Sequence, residues 1–217
     1  MNKIIRETDS SFREDFSNLL KKRKFDSNKL DSKVKAIIKK VTEESDDALI
    51  SYTKRFDKFE VKNFKQLIVS KKEIDYAYAK TNLKTIKAIK HAYQRIKNYH
   101  KRQVPKDEYY KDKDGVFLGS QWKPIDSVGL YVPGGTASYP SSVLMNAIPA
   151  MVSGVKRIVM VVPAPNGKIN PTILAVAKIL KISEIYKIGG AQAIAALAYG
   201  TKSIRPVDKI CGPGNAY

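Results

Sequence analysis

The sequence predicts an α/β fold in which a parallel sheet carries helices on both faces and a mainly helical region precedes it. After residue 126, short apolar runs alternate with helical stretches, which is typical of parallel β-α-β units. Before residue 127, the apolar residues recur with helical spacing. Glycine follows the same division, because only two of the 12 glycines lie before residue 127. We therefore expect a helical region over residues 1–126 and an α/β region over residues 127–217, with a boundary near Asp126.

The second region divides into four strands and three helices in strict alternation. Its strands are nearly continuous apolar runs, which predicts that both faces of the sheet are buried. The expected strands are Ser127–Val132, Arg157–Val162, Glu184–Ile188 and Asp208–Cys211, and the expected helices are Ser141–Ser153, Pro171–Leu180 and Ala191–Tyr199. A ligand site is expected outside the carboxyl ends of these strands.

Amphipathic helices are expected in residues 1–126. Their apolar stripes consist of Leu30, Val34, Ile37, Ile38 and Val41 in one helix, and of Ile86, Ile89, Tyr93 and Ile96 in another. Basic residues interleave with the second stripe, which is compatible with a nucleic-acid surface but is more commonly the solvated side of a packed helix. We adopt the solvated-side interpretation. His91 and His100 have no cysteine or acidic residue at metal-ligand spacing and are interpreted as surface or packing residues.

The last part of the first region is expected to consist of a connector and a short pair of strands. Val104–Lys113 mixes proline with charged residues and tyrosines, and is interpreted as an exposed connector. It is expected to lead into a short pair of strands around Val116–Trp122.

Composition restricts the class of protein. The formal charge of +19 would attract phosphates, nucleotides or nucleic acid, but charge alone does not indicate a nucleic-acid protein. A single cysteine excludes an intramolecular disulfide and any multi-cysteine zinc site. The first ten residues are charged where a secretory signal is apolar, and the sequence has no apolar run of membrane-spanning length. We expect a soluble, cytoplasmic protein that binds neither membrane nor nucleic acid.

Glycine-rich segments follow three of the four predicted strands. They are Tyr131–Pro140, Gly189–Ala193 and Gly212–Tyr217, and all three should meet at one edge of the sheet. Glycine allows the backbone to approach a ligand closely, and a loop that enters a helix presents free N–H groups to a phosphate. The G-x-G-x-x-G fingerprint is absent, so the pattern predicts a phosphate or nucleotide site of unspecified type. The alternative is that these glycines only form tight strand-to-helix turns.

Three polar side chains in these segments are candidates for orienting a ligand, namely Tyr131, Gln192 and Asn215. Each could instead cap a helix or satisfy buried backbone. Cys211 is interpreted as a small apolar strand residue, because no histidine follows residue 100 to activate it as a nucleophile. The only acidic residues after residue 126 are Glu184 and Asp208, and residues 127–217 therefore provide no catalytic triad, paired-carboxylate site or metal cluster. We expect no catalytic or metal-ligating residue here.

At these loops the sequence resembles the histidinol dehydrogenase family. The resemblance rests on long motifs at residues 128–137, 139–150, 185–201 and 208–215, and more weakly on Phe56-Asp57 and residues 121–125. It implies an incomplete Rossmann-like sheet of aldehyde-dehydrogenase-like type and a homodimer to which residues 1–126 contribute. It also implies a zinc- and NAD-dependent enzyme that oxidises L-histidinol through L-histidinal to L-histidine, with Tyr131, Gln192 and Asn215 contacting NAD.

The family's chain is roughly twice as long as this one. Its zinc ligands and its catalytic Glu-His pair belong to the part beyond the motif at residues 212–217, and none has a counterpart here. We therefore expect the 217-residue chain alone to be inactive. The alternatives are a non-catalytic nucleotide-binding or regulatory module, a basic nucleic-acid-binding protein, and a site completed by a separate chain.

Overall fold

The computed structural model describes residues 4–23, 27–134 and 139–214. The chain divides into two compact units, Met1–Ala36 and Ile37–Asn215. In the first unit, helix α1 (Phe12–Arg23) stacks the rings of Phe12 and Phe16 at a centroid distance of 5.5 Å. Helix α2 (Ser27–Glu44) begins in this unit and continues into the second. The domain boundary expected near Asp126 remains a prediction.

Three further helices precede the sheet in the second unit: α3 (Asp46–Asp57), α4 (Lys71–Lys80) and α5 (Leu83–Lys101). Helix α4 begins with a capping box, in which the Ser70 hydroxyl accepts from the Glu73 amide and the Glu73 carboxylate accepts from the Ser70 amide. The side chain of Asn82 caps α5 in the same way, by accepting from the Lys84 amide at 2.8 Å. Both expected apolar stripes are confirmed: Val41, Ile86 and Ile89 are buried, and the other members are partly buried.

The segment Val104–Lys113, which was expected to be a connector, contains a β-strand, so this expectation was wrong in part. Strand β1 (Glu108–Lys111) lies within it and pairs in antiparallel register with β2 (Phe117–Ser120). The turn between them explains the pairing, because the Asp112 carboxylate accepts from the amides of Asp114 (3.0 Å) and Val116 (2.8 Å). Gly115 completes the turn with a φ of +85°, which glycine adopts without strain. The strand pair is therefore confirmed, but its first strand begins at Glu108.

The four remaining strands form a parallel sheet, as predicted. They are β3 (Ser127–Tyr131), β4 (Arg157–Val161), β5 (Glu184–Tyr186) and β6 (Lys209–Cys211), connected by helices α6 (Pro140–Val152), α7 (Pro171–Ile179) and α8 (Gly190–Tyr199). The spatial order is β5-β4-β3-β6. Strands β4 and β5 are therefore added in turn on one side of β3, and the chain then returns to place β6 on the other side of β3. This equals the first four strands of the doubly wound order 3-2-1-4-5-6, in which ligands bind where the order reverses. Here the reversal lies between β3 and β6.

Helices cover both faces of the sheet and form two apolar clusters. One cluster joins alternate β3 residues, including Val128 and Leu130, to buried residues of α4, α5, α6 and α7. The other joins Val159 and Val161 of β4 to buried residues of α2, α3 and α8. Gly129 faces α8, where an added Cβ would lie 2.8 Å from Leu197, so the helix packs directly on the backbone of β3. No helix among the described residues is long and apolar enough to cross a membrane.

Candidate site at the carboxyl edge of the parallel sheet

The loops after β3, β4 and β5 meet at Pro163. A Cβ on Gly134 would lie 2.4 Å from the carbonyl oxygen of Pro163, and one on Gly189 would lie 2.4 Å from its Cγ. Both distances are far below van der Waals contact, so only glycine fits at either position. The two glycines are thus required by contact between loops as well as by the turns, and Pro163 is a packing residue that the sequence pattern did not reveal.

The loop after β6 approaches the end of β3. A Cβ on Gly212 would lie 2.2 Å from the carbonyl oxygen of Tyr131, and Gly212 has a φ of +147°. The predicted convergence of the three glycine segments is therefore confirmed for their described parts. Because β3 and β6 flank the reversal of strand order, the convergence lies where a doubly wound sheet has its ligand crevice.

Tyr131 ends β3 and connects it to α8. Its hydroxyl oxygen accepts a hydrogen bond from the amide of Gly190 at 3.1 Å. A phenol hydroxyl also has one proton to donate, and no described residue accepts it. Gly190 has a φ of +65°, which places the first residue of the helix in a left-handed conformation. The bond therefore fixes the tyrosine ring against the start of α8, and within the described part of the chain its proton has no acceptor.

Gln192 meets the same glycine from inside the helix. Its side chain is 2% exposed, and its Oε1 lies 2.7 Å from where a Cβ of Gly190 would stand. The structure thus brings Tyr131 and Gln192 together at Gly190. The third predicted residue, Asn215, lies outside the described residues, as does the segment 135–138 of the first glycine loop.

The amino end of α8 has the properties of an anion site. Gly189 precedes it and has no side chain to cap the first turn, so the Tyr131 hydroxyl, which accepts from the Gly190 amide, is the side-chain partner that the described residues give to this turn. The N–H groups of this turn, together with the positive end of the helix dipole, favour a phosphate.

The nearest lysine along the chain, Lys187, is bound to the Glu73 carboxylate of α4 at 2.5 Å. Burial raises the pKa of Glu73, but its hydrogen bonds from Lys187 and Ser70 outweigh burial, so the net pKa is lowered.

The family follows from comparison with known proteins. A family model described as histidinol dehydrogenase matches residues 20–217. The histidinol dehydrogenase of Brucella abortus (strain 2308) is 53% identical over 213 residues, which are 98% of this chain and 49% of that protein. The enzyme of Mesorhizobium japonicum is 54% identical over the same length, again 49% of its own. This chain belongs to the histidinol dehydrogenase family.

A solved structure agrees with this assignment. The crystal structure of histidinol dehydrogenase from Elizabethkingia anophelis superposes with a TM-score of 0.81 at 40% identity, and covers 86% of this chain and 42% of that one. The chain therefore spans about half the length of the curated relatives it matches. The predicted α/β class, with helices around a parallel sheet, is confirmed.

In this member of the histidinol dehydrogenase family, the two acidic residues of the α/β region lie at the opposite edge from the glycine loops. Glu184 accepts two hydrogen bonds from Arg157, at 2.9 and 2.8 Å, and these bonds are the largest cause of the raised pKa of Arg157. Asp208 accepts from the amide and the hydroxyl of Ser127, both at 2.8 Å, and these bonds lower its pKa. Both carboxylates therefore stabilise the amino edge of the sheet by hydrogen bonds between neighbouring strands.

Residues that could bind a metal are dispersed in the described parts of the chain. No group of three or more His, Cys, Asp or Glu side chains with metal-binding geometry occurs among them. His91 is exposed on α5, and His100 shares a 2.6 Å hydrogen bond with Gln103. Cys211 is a free, partly buried thiol at the end of β6. The described residues thus do not fit a zinc ion.

Proposed function

We propose that this chain supplies the NAD-binding part of a histidinol dehydrogenase, which oxidises L-histidinol through L-histidinal to L-histidine. The observation that carries the proposal is the meeting of Tyr131 and Gln192 at Gly190, beside the reversal of strand order. Family membership supports the reaction, and the geometry supports a cofactor-binding role for this part of the chain.

The described residues support the binding of a phosphate-bearing cofactor at this edge through a helix amino end and two polar side chains. The glycines let the loops pack closely against Pro163 and Tyr131 at this edge, and α8 begins here with the positive end of its dipole and with Gly189 in place of a capping side chain. Tyr131 donates to the cofactor the hydroxyl proton that no described residue accepts, and Gln192, two residues further into the helix than Gly190, borders the same glycine. We place Asn215 in the site by resemblance alone. Bound NAD would accept a hydride from the substrate.

Other features of the family remain proposals for the complete protein. They are zinc dependence, with zinc ligands in the part of the family's length that this chain does not span, a homodimeric assembly and a cytoplasmic location. Since the described residues do not fit zinc, we derive no catalytic step through it. We also propose that the sheet is an incomplete Rossmann-like sheet of aldehyde-dehydrogenase-like type, in line with its strand order.

Calorimetric titration with NAD tests the site. Tyr131→Phe removes the hydroxyl and keeps the ring, and should weaken NAD binding about fivefold, as expected for the loss of about 1 kcal/mol. Tyr199→Phe is the matched control, because Tyr199 lies at the other end of α8 and is 62% exposed. Equal affinities for both variants, or no NAD binding by the wild-type protein, would refute the proposed site.

A further inference from the structure

A cavity of about 510 Å³ opens between helix α4 and the loop that leads into α7. Both helices cover the face of the sheet opposite α8, the helix that carries Gly190 and Gln192 of the candidate cofactor site. Ala77 of α4 and Leu174 of α7, which are 4% and 6% exposed, form the apolar floor of the cavity. Cavities of this size commonly hold small organic ligands.

Ion pairs hold the walls of the cavity in place. The Glu73 carboxylate of α4 binds the Lys187 ammonium at 2.5 Å, and the Lys187 side chain is only 12% exposed. Lys178 of α7 binds Asp75 of α4 in the same way. Both helices also contribute buried residues to one apolar cluster. The cavity is therefore a feature of the packed α4–α7 pair, and a ligand would find it preformed.

The charge of the cavity is positive. Three lysines and one glutamate line it, so its net charge is +2. The glutamate is Glu73, which is paired with Lys187. The other two lysines, Lys80 and Lys168, are exposed, and no carboxylate in the described part of the chain pairs with them. A phosphate monoester carries a charge of about −1.5 to −2 at pH 7, which complements these two lysines.

Two further side chains suit the organic part of such a ligand. Tyr76 lines the cavity with a ring that is 66% exposed, and the Lys80 ammonium lies 5.7 Å from the centroid of this ring. A base stacks favourably on an aromatic ring, and its phosphate would then lie near the same lysine. The Asn170 Oδ1 accepts from the Thr172 amide at 2.8 Å, so the NH₂ group of Asn170 can donate to a polar edge of the base.

We propose that the α4–α7 cavity binds a nucleoside monophosphate, with the phosphate on Lys80 and Lys168 and the base between Tyr76 and the apolar floor. The two lysines flank a hollow of small-molecule size and not an extended apolar face, which favours this occupant over a covering segment of polypeptide. None of the residues that line the cavity belongs to the proposed NAD site, so the two sites are tested independently.

Calorimetric titration of the protein at its native length with adenosine monophosphate (AMP) tests the cavity. Saturating NAD is present, so that AMP does not occupy the proposed cofactor site. The wild-type protein should bind AMP, and the double change Lys80→Gln and Lys168→Gln should weaken binding at least about tenfold, because two charge-assisted contacts are lost.

The double change Lys71→Gln and Lys72→Gln is the matched control. It removes the same charge from exposed side chains at the other end of α4 and should leave the AMP affinity unchanged. Circular dichroism confirms that both double variants are folded. Absence of AMP binding by the wild-type protein, as when another part of the polypeptide fills the cavity, overturns the proposal. Equal AMP affinities of the two double variants overturn it as well.

The contribution of the base is measured separately. Tyr76→Ala removes an exposed ring and should weaken AMP binding at least about fivefold, while the binding of inorganic phosphate should stay unchanged. Inorganic phosphate that binds as tightly as AMP would overturn the nucleotide as the ligand. The NAD site is decided apart from all of these results, by Tyr131→Phe.

Discussion

Replacing Gly134 by alanine tests whether close packing of the loops holds the candidate site together. The new Cβ would lie 2.4 Å from the carbonyl oxygen of Pro163, a backbone atom that cannot rotate away. Overpacking of this kind costs about 1–3 kcal/mol, and a backbone neighbour favours the upper half of that range. Reduced freedom of the unfolded chain returns about 0.4–1 kcal/mol. We therefore expect a net loss of about 2 kcal/mol.

Thermal and urea unfolding measure this loss. For a chain of this size, about 2 kcal/mol corresponds to a fall in Tm of roughly 4–8 °C. Gly214→Ala is the matched control, because no described residue has an atom within 4 Å of its Cβ position, and it should be neutral or slightly stabilising. If the two variants unfold at the same temperature, the glycines at this edge are not fixed by contact with Pro163 and the reasoning fails.

Three further predictions concern the sheet and the activity. Glu184→Gln disrupts the pair of hydrogen bonds from Arg157, whose side chain is only 17% exposed. The free energy of unfolding, measured in urea, should fall by about 1–3 kcal/mol. An unchanged urea midpoint would contradict a structural role for this ion pair. Burial, with help from Glu184, raises the pKa of Tyr186 to about 12, so the unfolded tyrosine ionises first as pH rises. Stability should then be fully present below pH 10 and fall between pH 10 and 12, and Tyr186→Phe should flatten that part of the urea-midpoint profile. The 217-residue chain alone should form no NADH from L-histidinol, while the Brucella abortus relative, assayed in parallel, should form it; turnover by the chain would disprove the assignment of catalysis to the other half.

Sequence patterns predicted the parallel sheet well because its signal is hydrophobic and continuous. Every expected strand and helix after residue 126 is present within three residues of its expected ends. Strand β1 was missed because Glu108-Tyr-Tyr-Lys is exposed on both faces and carries no alternation; the Asp112–Gly115 turn fixes it instead. The sequence pattern also could not predict the strand order, because the alternation of strands and helices does not determine which strands are neighbours.

The candidate site was predictable in its location but not in its construction. The glycines indicated a ligand edge, yet their spacing could not reveal that Gly134 and Gly189 both contact Pro163. Gln192 illustrates the same limit. Its position in an apolar helix is compatible with a cap or with a ligand contact, and only the fold shows that its amide meets the glycine to which Tyr131 is bound.

The two edges of the sheet are stabilised by different interactions, and this difference bears on function. At the amino edge, Arg157 binds the Glu184 carboxylate and the carbonyls of Arg205 and Pro206, so it joins β4 and β5 to the segment that leads into β6. At the carboxyl edge, Gly134 and Gly189 pack against Pro163, and the Tyr131 hydroxyl accepts from the first amide of α8. An anionic dinucleotide bound as we propose would meet the amino end of α8 and one tyrosine hydroxyl. Among residues 127–217, both acidic side chains, Glu184 and Asp208, thus bind protein groups at the amino edge, which supports a proposed anion site at the carboxyl edge.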